Sequence, residues 1–323
     1  MGSFYYDFIM YNLTAQIIKN QKQENIYTMS LNTKQKELCP CYIGVSGWSY
    51  KDWKGTVYPK DTSYNIHPIR YLAQWINCIE INVTHYHPIP SIRVQSWVEQ
   101  VLDNSSFLFT VKLWKRFTHE NYHNITLEDV KLFIQSIEPI ADANKLGCIL
   151  IQFPHRFHRT PENRKYLAKL TDIFSPMPMT IEFRHRSWLH SQTLESFRER
   201  GLAFCNIDQP LPDPNCLPPT EEVTADFAYV RFHGRNIKNW FSEKSNRDER
   251  YNYLYSENEL EPWTERIQRM RNKAQRVFIL MNNHFAGKAL INAIQLRKEL
   301  GYSVDTPIPY ELQQILTEQK KNL

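Results

Sequence analysis

From Tyr42 onward, short apolar runs alternate with stretches whose apolar residues recur every three to four positions. The short runs predict strands at Tyr42–Gly47, Cys78–Val83, Phe107–Lys112, Gly147–Phe153, Met179–Arg184, Ala203–Asp208, Phe227–Gly234 and Arg276–Asn283. The longer stretches predict helices at Ile69–Asn77, Ser91–Leu102, Leu127–Asn144, Pro161–Phe174, Thr193–Arg200, Glu257–Asn272 and Gly287–Leu300. Leu127, Val130, Leu132, Phe133, Ile137 and Ile140 give the clearest helical spacing. Several strands end in polar residues two apart: Glu80 and Asn82, Glu182 and Arg184, Asn206 and Asp208, Arg231 and His233. Residues two apart share a face of a strand, so each pair projects to one side. Ile79, Ile81, Ile181, Phe183, Val230 and Phe232 then face the other way.

Strands alternating with helices predict a parallel sheet, and eight such units predict closure. The expected class is α/β, a single (β/α)8 TIM-type barrel. Its sixth unit is irregular, because residues 209–226 hold five prolines and little helical pattern. Pro161 and Pro262 suit first-turn helix positions, and Gly201 and Gly301 suit stops just past a helix end. Residues 1–40 read as a weakly ordered N-terminal extension, 41–302 as the barrel domain and 303–323 as a short helical tail.

Composition narrows the function classes more than it identifies one. With 323 residues, 42% apolar and 13% aromatic, the chain can bury one large core. A net charge of +5 admits an anionic substrate or nucleic acid but is also ordinary for a soluble protein. Six scattered cysteines make no disulfide framework, and Cys39 and Cys41 have no matching pair for zinc. A reducing, cytoplasmic setting is expected, with no membrane span and no secretory leader in Met1–Ile18. Among nine glycines there is no phosphate-cradling nucleotide motif.

In such a barrel the active site is built where the strands end. That projection gathers Ser46, Trp48, Glu80, Asn82, Lys112, Gln152, Glu182, Arg184, His185, Asp208, Arg231, His233, Asn282 and Asn283 at one mouth. Any one of them has a structural explanation, which for a strand-end glutamate or arginine is an ion pair. Together they predict a functional pocket, since burying unpaired charge is costly.

At these residues the chain resembles the domain-of-unknown-function family 72, also called YecE-like. The matching stretches are IGVSGWSYKDWKGTVYP (43–59), CIEINVTHY (78–86), FLFTVKLWKRFTHE (107–120), LIQFP (150–154), IEFRHRSW (181–188), AYVRFHGRN (228–236) and FILMNNHFAGKAL (278–290). The resemblance spans about residues 42–302 and implies a TIM-type barrel. It implies no reaction, because the family's activity is not established. Similarity to barrel endonucleases acting on abasic DNA is analogy at the level of fold.

The first reading is an enzyme using acid/base chemistry on a small polar or anionic substrate, sugar-like or phosphorylated. Glu182, Asp208 and His233 would supply acid, base and imidazole, and Lys112 an oxyanion partner or amine nucleophile. Trp48 and Trp188 would wall a ring or simply pack. Glu80, Asn82, Gln152, Arg184, His185, Arg231, Arg235, Tyr251, Asn282 and Asn283 complete the expected binding set. No cofactor is expected.

The alternative is a metal-dependent phosphodiesterase using Glu80, Glu182, His185, Asp208 and His233 as ligands. Lys112, Arg184 and Arg231 would balance those carboxylates, which leaves little charge for a cation. A further alternative is nucleic-acid binding by the loop after strand seven, where Arg235, Lys238, Trp240, Lys244, Arg247, Arg250, Tyr251, Tyr253 and Tyr255 interleave charge and rings. A substrate lid with Arg235 as an anion clamp explains the same residues, and the acidic residues that follow favour it. His119 reads as a candidate visitor to the mouth, and His85 and His87 as ordinary loop residues. Oligomeric state is not encoded.

Overall fold

The computed structural model describes residues 39–60, 66–120, 124–237 and 247–321. The expected extension at 1–40 lies outside these, apart from Cys39 and Pro40. Eight strands pair in parallel and in chain order to close a barrel. They are β1 (Cys41–Ser46), β2 (Cys78–Ile81), β3 (Leu108–Lys112), β4 (Leu146–Gln152), β5 (Met179–Glu182), β6 (Ala203–Asp208), β7 (Phe227–Phe232) and β8 (Arg276–Met281). β8 closes on β1 through the register Tyr42 to Phe278 and Gly44 to Leu280.

The outward residues Ile43, Val45, Ile79, Ile81, Ile181, Val230 and Ile279 are buried between sheet and helices. Burial on both faces is what holds parallel strands. Helix Leu127–Asp142 starts at a capping box of Thr126 and Asp129, and helix Pro161–Phe174 starts on its proline. Helix Ser191–Arg200 stops at Gly201, which adopts φ +62°, a conformation that glycine alone takes without strain. Pro262 departs from its expected place. Helix Glu257–Arg271 starts at the expected Glu257, behind a Ser256–Glu259 capping box, which leaves Pro262 in the second turn.

Between β6 and β7 no helix forms, and residues 209–226 run as a loop. Five prolines remove the donors that a helix interior needs. The tail docks instead of trailing: helix Tyr310–Lys321 buries Leu312, and the Trp75 indole donates to the Thr306 carbonyl at 3.1 Å. No described helix is long and apolar enough to cross a membrane.

The lumen is filled by side chains that reach across it. Thr110 on β3 meets the Tyr229 hydroxyl on β7 at 2.9 Å, and that hydroxyl donates to Glu80 on β2 at 2.9 Å. One layer above, Arg231 bridges Glu80 at 2.6 Å and Glu182 at 2.5 Å. This polar layer is the floor of the mouth.

Candidate active site

The C-terminal mouth holds a cavity of about 510 Å³ whose wall includes Lys112, Arg184, Arg231 and Arg93 and, among the described residues, no carboxylate. The carboxylates lie beneath. Glu182 receives Arg184 Nε at 2.7 Å and Arg231 Nη1 at 2.5 Å, with His233 Nε2 at 3.4 Å. Burial pushes its carboxyl up, but Arg184, Arg231 and His233 outweigh burial and hold it well below the usual range. A carboxylate so held is a poor proton donor at neutral pH.

His233 is equally constrained. The Asn282 amide donates to its Nδ1 at 3.0 Å, which leaves the ring proton on Nε2 toward Glu182. Burial, together with Arg184, pushes its pKa down to about 3. It is a neutral imidazole whose tautomer is set by its neighbours.

Lys112 differs from both. Its ammonium lines the cavity and has no hydrogen-bond or ion-pair partner among the described residues. Burial, aided by Arg231, brings its pKa down to about 8. Nearby, Asn82 Oδ1 is buried without a hydrogen-bond partner among the described residues. An unmatched donor and an unmatched acceptor in one cavity are what a polar ligand would satisfy.

Several expected site residues lie elsewhere. Asp208 points outward into the helix layer, where Arg235 Nη2 (2.7 Å), Tyr255 Oη (2.7 Å) and Trp263 Nε1 (2.7 Å) donate to it. β6 is out of phase with its neighbours: Asn206 and Asp208 pair in register with the outward residues Val230 and Phe232. The helix Glu257–Arg271 supplies Trp263, so the carboxylate is satisfied on the outer face and does not join Glu182. Arg235 is therefore no free anion clamp, because Asp208 and Glu259 occupy it. The Arg235→Ala variant should therefore lose about 1–2 kcal/mol in urea unfolding.

Trp188 packs in a stack with Phe183 (4.2 Å) and Phe157 (5.4 Å), away from the cavity. Asn283 donates to Asn292 and to the Tyr253 carbonyl, bracing the loop after β7. Gln152 donates to the Phe153 carbonyl, and His185 caps the turn at Ser187; neither lines the cavity. Glu80 belongs to the floor. Trp48, Asn82, Lys112, Arg184, Arg231, Tyr251 and Asn282 do converge there. Residues 238–246 of the loop after β7, with Lys238, Trp240 and Lys244, lie outside the described residues.

The cavity also uses residues that strand-end reasoning missed. Arg93 and Trp97, four apart on helix Ser91–Glu99, form one wall, with Trp97 edge-on to Trp48 at 5.0 Å. The start of a helix that follows a barrel strand lies at the mouth, and that was the available signal. Tyr50 stacks on His284 at 4.2 Å and 7°. His85, expected to be an ordinary loop residue, lines the cavity, and its ring lies 4.9 Å from that of His119. His87 is exposed, as a loop residue should be.

A closed parallel barrel with its polar cavity at the strand ends defines a TIM-type barrel protein of the mouth-site kind. The chain belongs to the family described as "Protein of unknown function DUF72", whose model matches residues 42–314. It is similar to the UPF0759 protein YunF of Bacillus subtilis, 28% identical over 283 residues, covering 84% of this chain and 98% of that one. Among solved structures it resembles a DUF72 family protein from Thermotoga maritima with 36% identity and a TM-score of 0.70, covering 81% of this chain and 99% of the other. A DUF72 family protein from Enterococcus faecalis aligns with 26% identity and a TM-score of 0.73, covering 83% and 98%.

Proposed function

We propose that the protein is an enzyme that performs acid/base chemistry on a small anionic, ring-bearing substrate, sugar-like or phosphorylated, at the barrel mouth. Lys112 is the proton-transferring group. The observation that carries this reading is the Lys112 ammonium, unpartnered among the described residues, in a cavity whose described wall is cationic and aromatic and holds no carboxylate. A group with a pKa of about 8 can both give and take a proton near neutral pH. Asn82 Oδ1 supplies an acceptor for a substrate hydroxyl, and Trp48, Trp97 and Tyr251 supply flat faces for a ring. Glu182 and His233 position Arg184 and Arg231 and do not themselves exchange protons. The nucleic-acid alternative is weakened by the pairing of Arg235 with Asp208.

Lys112→Met tests the reading. A lysine whose folded pKa lies below its unfolded value of 10.5 costs stability below about pH 8, and the cost disappears as pH rises toward 10.5. At pH 7 the methionine variant should be more stable than wild type by about 2 kcal/mol, with the gap closing by about pH 10. The same variant should bind inorganic phosphate and sugar phosphates at least about thirtyfold more weakly, measured by calorimetry. Undiminished anion affinity, or a loss of stability at pH 7, would overturn the assignment.

A further inference from the structure

Beside the mouth, three potential ligands from two loops converge. His155 follows β4, and Asp213 and Cys216 lie in the loop after β6; their ligand atoms all fall within 4.8 Å of one another. We propose that these three residues form a zinc-class metal site, with the fourth position open to water. It is distinct from the Lys112 cavity, whose wall contains none of them.

The chemistry of the set is specific. Thiolate, imidazole and carboxylate together suit zinc, and hard oxygen-seeking cations are poorly matched to sulfur. Asp213 Oδ2 and Cys216 Sγ stand 3.7 Å apart. Ligand atoms around a tetrahedral zinc with bonds of about 2.0–2.3 Å lie roughly 3.3–3.8 Å apart, so this pair is already at bonding separation. His155 then needs to close only about 1 Å. One thiolate and one carboxylate balance the dication. Burial raises the Cys216 thiol above its usual range, and binding must expel its proton: thiol plus zinc(II) gives zinc thiolate plus one proton.

The surroundings fix these ligands in place. The Asn215 amide donates to Asp213 Oδ1 at 2.7 Å, which turns Oδ2 toward the sulfur. The Cys216 amide donates to the Asp213 carbonyl at 3.2 Å and closes the turn. Three further bonds pin this loop to the segment after β5: Leu217 N to Arg184 O (2.8 Å), Arg186 N to Asn215 O (2.8 Å) and Arg186 Nη1 to Pro214 O (2.9 Å). The loop that replaces the sixth helix is thus held at this end by the segment after β5. Outer-shell support of this kind typically accompanies metal ligands. A metal here would staple the β4 and β6 loops over β5.

Cobalt(II) alone is the probe, titrated into full-length protein stripped with a chelator. One equivalent should produce near-ultraviolet sulfur-to-cobalt charge-transfer absorption and intense tetrahedral visible bands, both displaced by zinc. Cys216→Ser should abolish the charge-transfer band, and His155→Ala should weaken cobalt binding at least about a hundredfold. Lys112→Met should change neither. No charge-transfer band at excess cobalt, or a band that survives Cys216→Ser, would overturn the site. If Cys216→Ser fails to fold, Asp213→Asn carries the test. An unchanged cobalt affinity in that variant rejects the proposal, and a drop of tenfold or more supports it.

Discussion

Arg231→Met is expected to cost about 3–5 kcal/mol of stability in equilibrium urea unfolding, the largest loss from any single change at the mouth. Arg231 is 1% exposed and bridges two fully buried carboxylates, Glu80 on β2 and Glu182 on β5. Methionine fills the stem's volume and removes the charge. Among the described residues Glu80 then keeps only the Tyr229 hydroxyl, and Glu182 keeps Arg184 and His233. The cost is therefore that of a stranded buried charge, and it should be recoverable. Glu80→Gln in the Arg231→Met background should restore at least half of the lost stability, because the amide needs no counter-ion. Arg231→Lys should not rescue as well, since one ammonium cannot span two carboxylates in a forked geometry. A loss below about 1 kcal/mol in Arg231→Met would mean that the cluster is wet and contributes little.

This cluster also explains which parts of the site could be read in the sequence. The strands were legible because their apolar residues are buried on both faces, and the rhythm of eight runs follows from barrel closure. Glu80, Glu182 and Arg231 could be placed in the lumen because period-two geometry fixes their side relative to Ile79, Ile181 and Val230. The side taken by Asp208 could not be read this way. Phase within a strand says which residues go together, and only register against β7 says that Asn206 and Asp208 go outward. The same limit applies to roles. Glu182 and Lys112 are both ionisable strand-end residues. What separates them is that Arg184 and Arg231 neutralise one and leave the other unmatched, and no linear pattern encodes that pairing. Trp97 and Arg93 show the reverse case, in which helix-start residues at the mouth were legible in principle through barrel geometry.

Stability should fall steeply as pH drops from 7 to about 5.5, before carboxylates begin to protonate, because histidines near the mouth resist charging, three of them strongly. Burial and Lys112 push His85 down to about 2; burial, Lys112 and Arg156 push His119 to about 4; burial and Arg184 push His233 to about 3. Each folded pKa lies below the unfolded value near 6.5. Above pH 6.5 both states are neutral and nothing is lost. As pH falls below it, the unfolded chain takes up protons that the folded chain refuses, so stability is lost progressively down toward the folded values. One pH unit below 6.5 the loss reaches about 1.4 kcal/mol per histidine, and so up to about 4 kcal/mol for the three. The neighbours explain why folding cannot accommodate these protons: His85 and His119 face Lys112, and His233 faces Arg184 and Arg231, with Glu182 already shared among cations. Urea unfolding from pH 7.5 to 5 measures the slope. The triple variant His85→Gln, His119→Gln, His233→Gln should flatten it over this window, and Lys112→Met should lessen it by relieving His85 and His119. A wild-type slope near zero between pH 7 and 5.5, or one unchanged in the triple variant, would show that these rings accept protons within the fold and that the mouth is more hydrated than its geometry indicates.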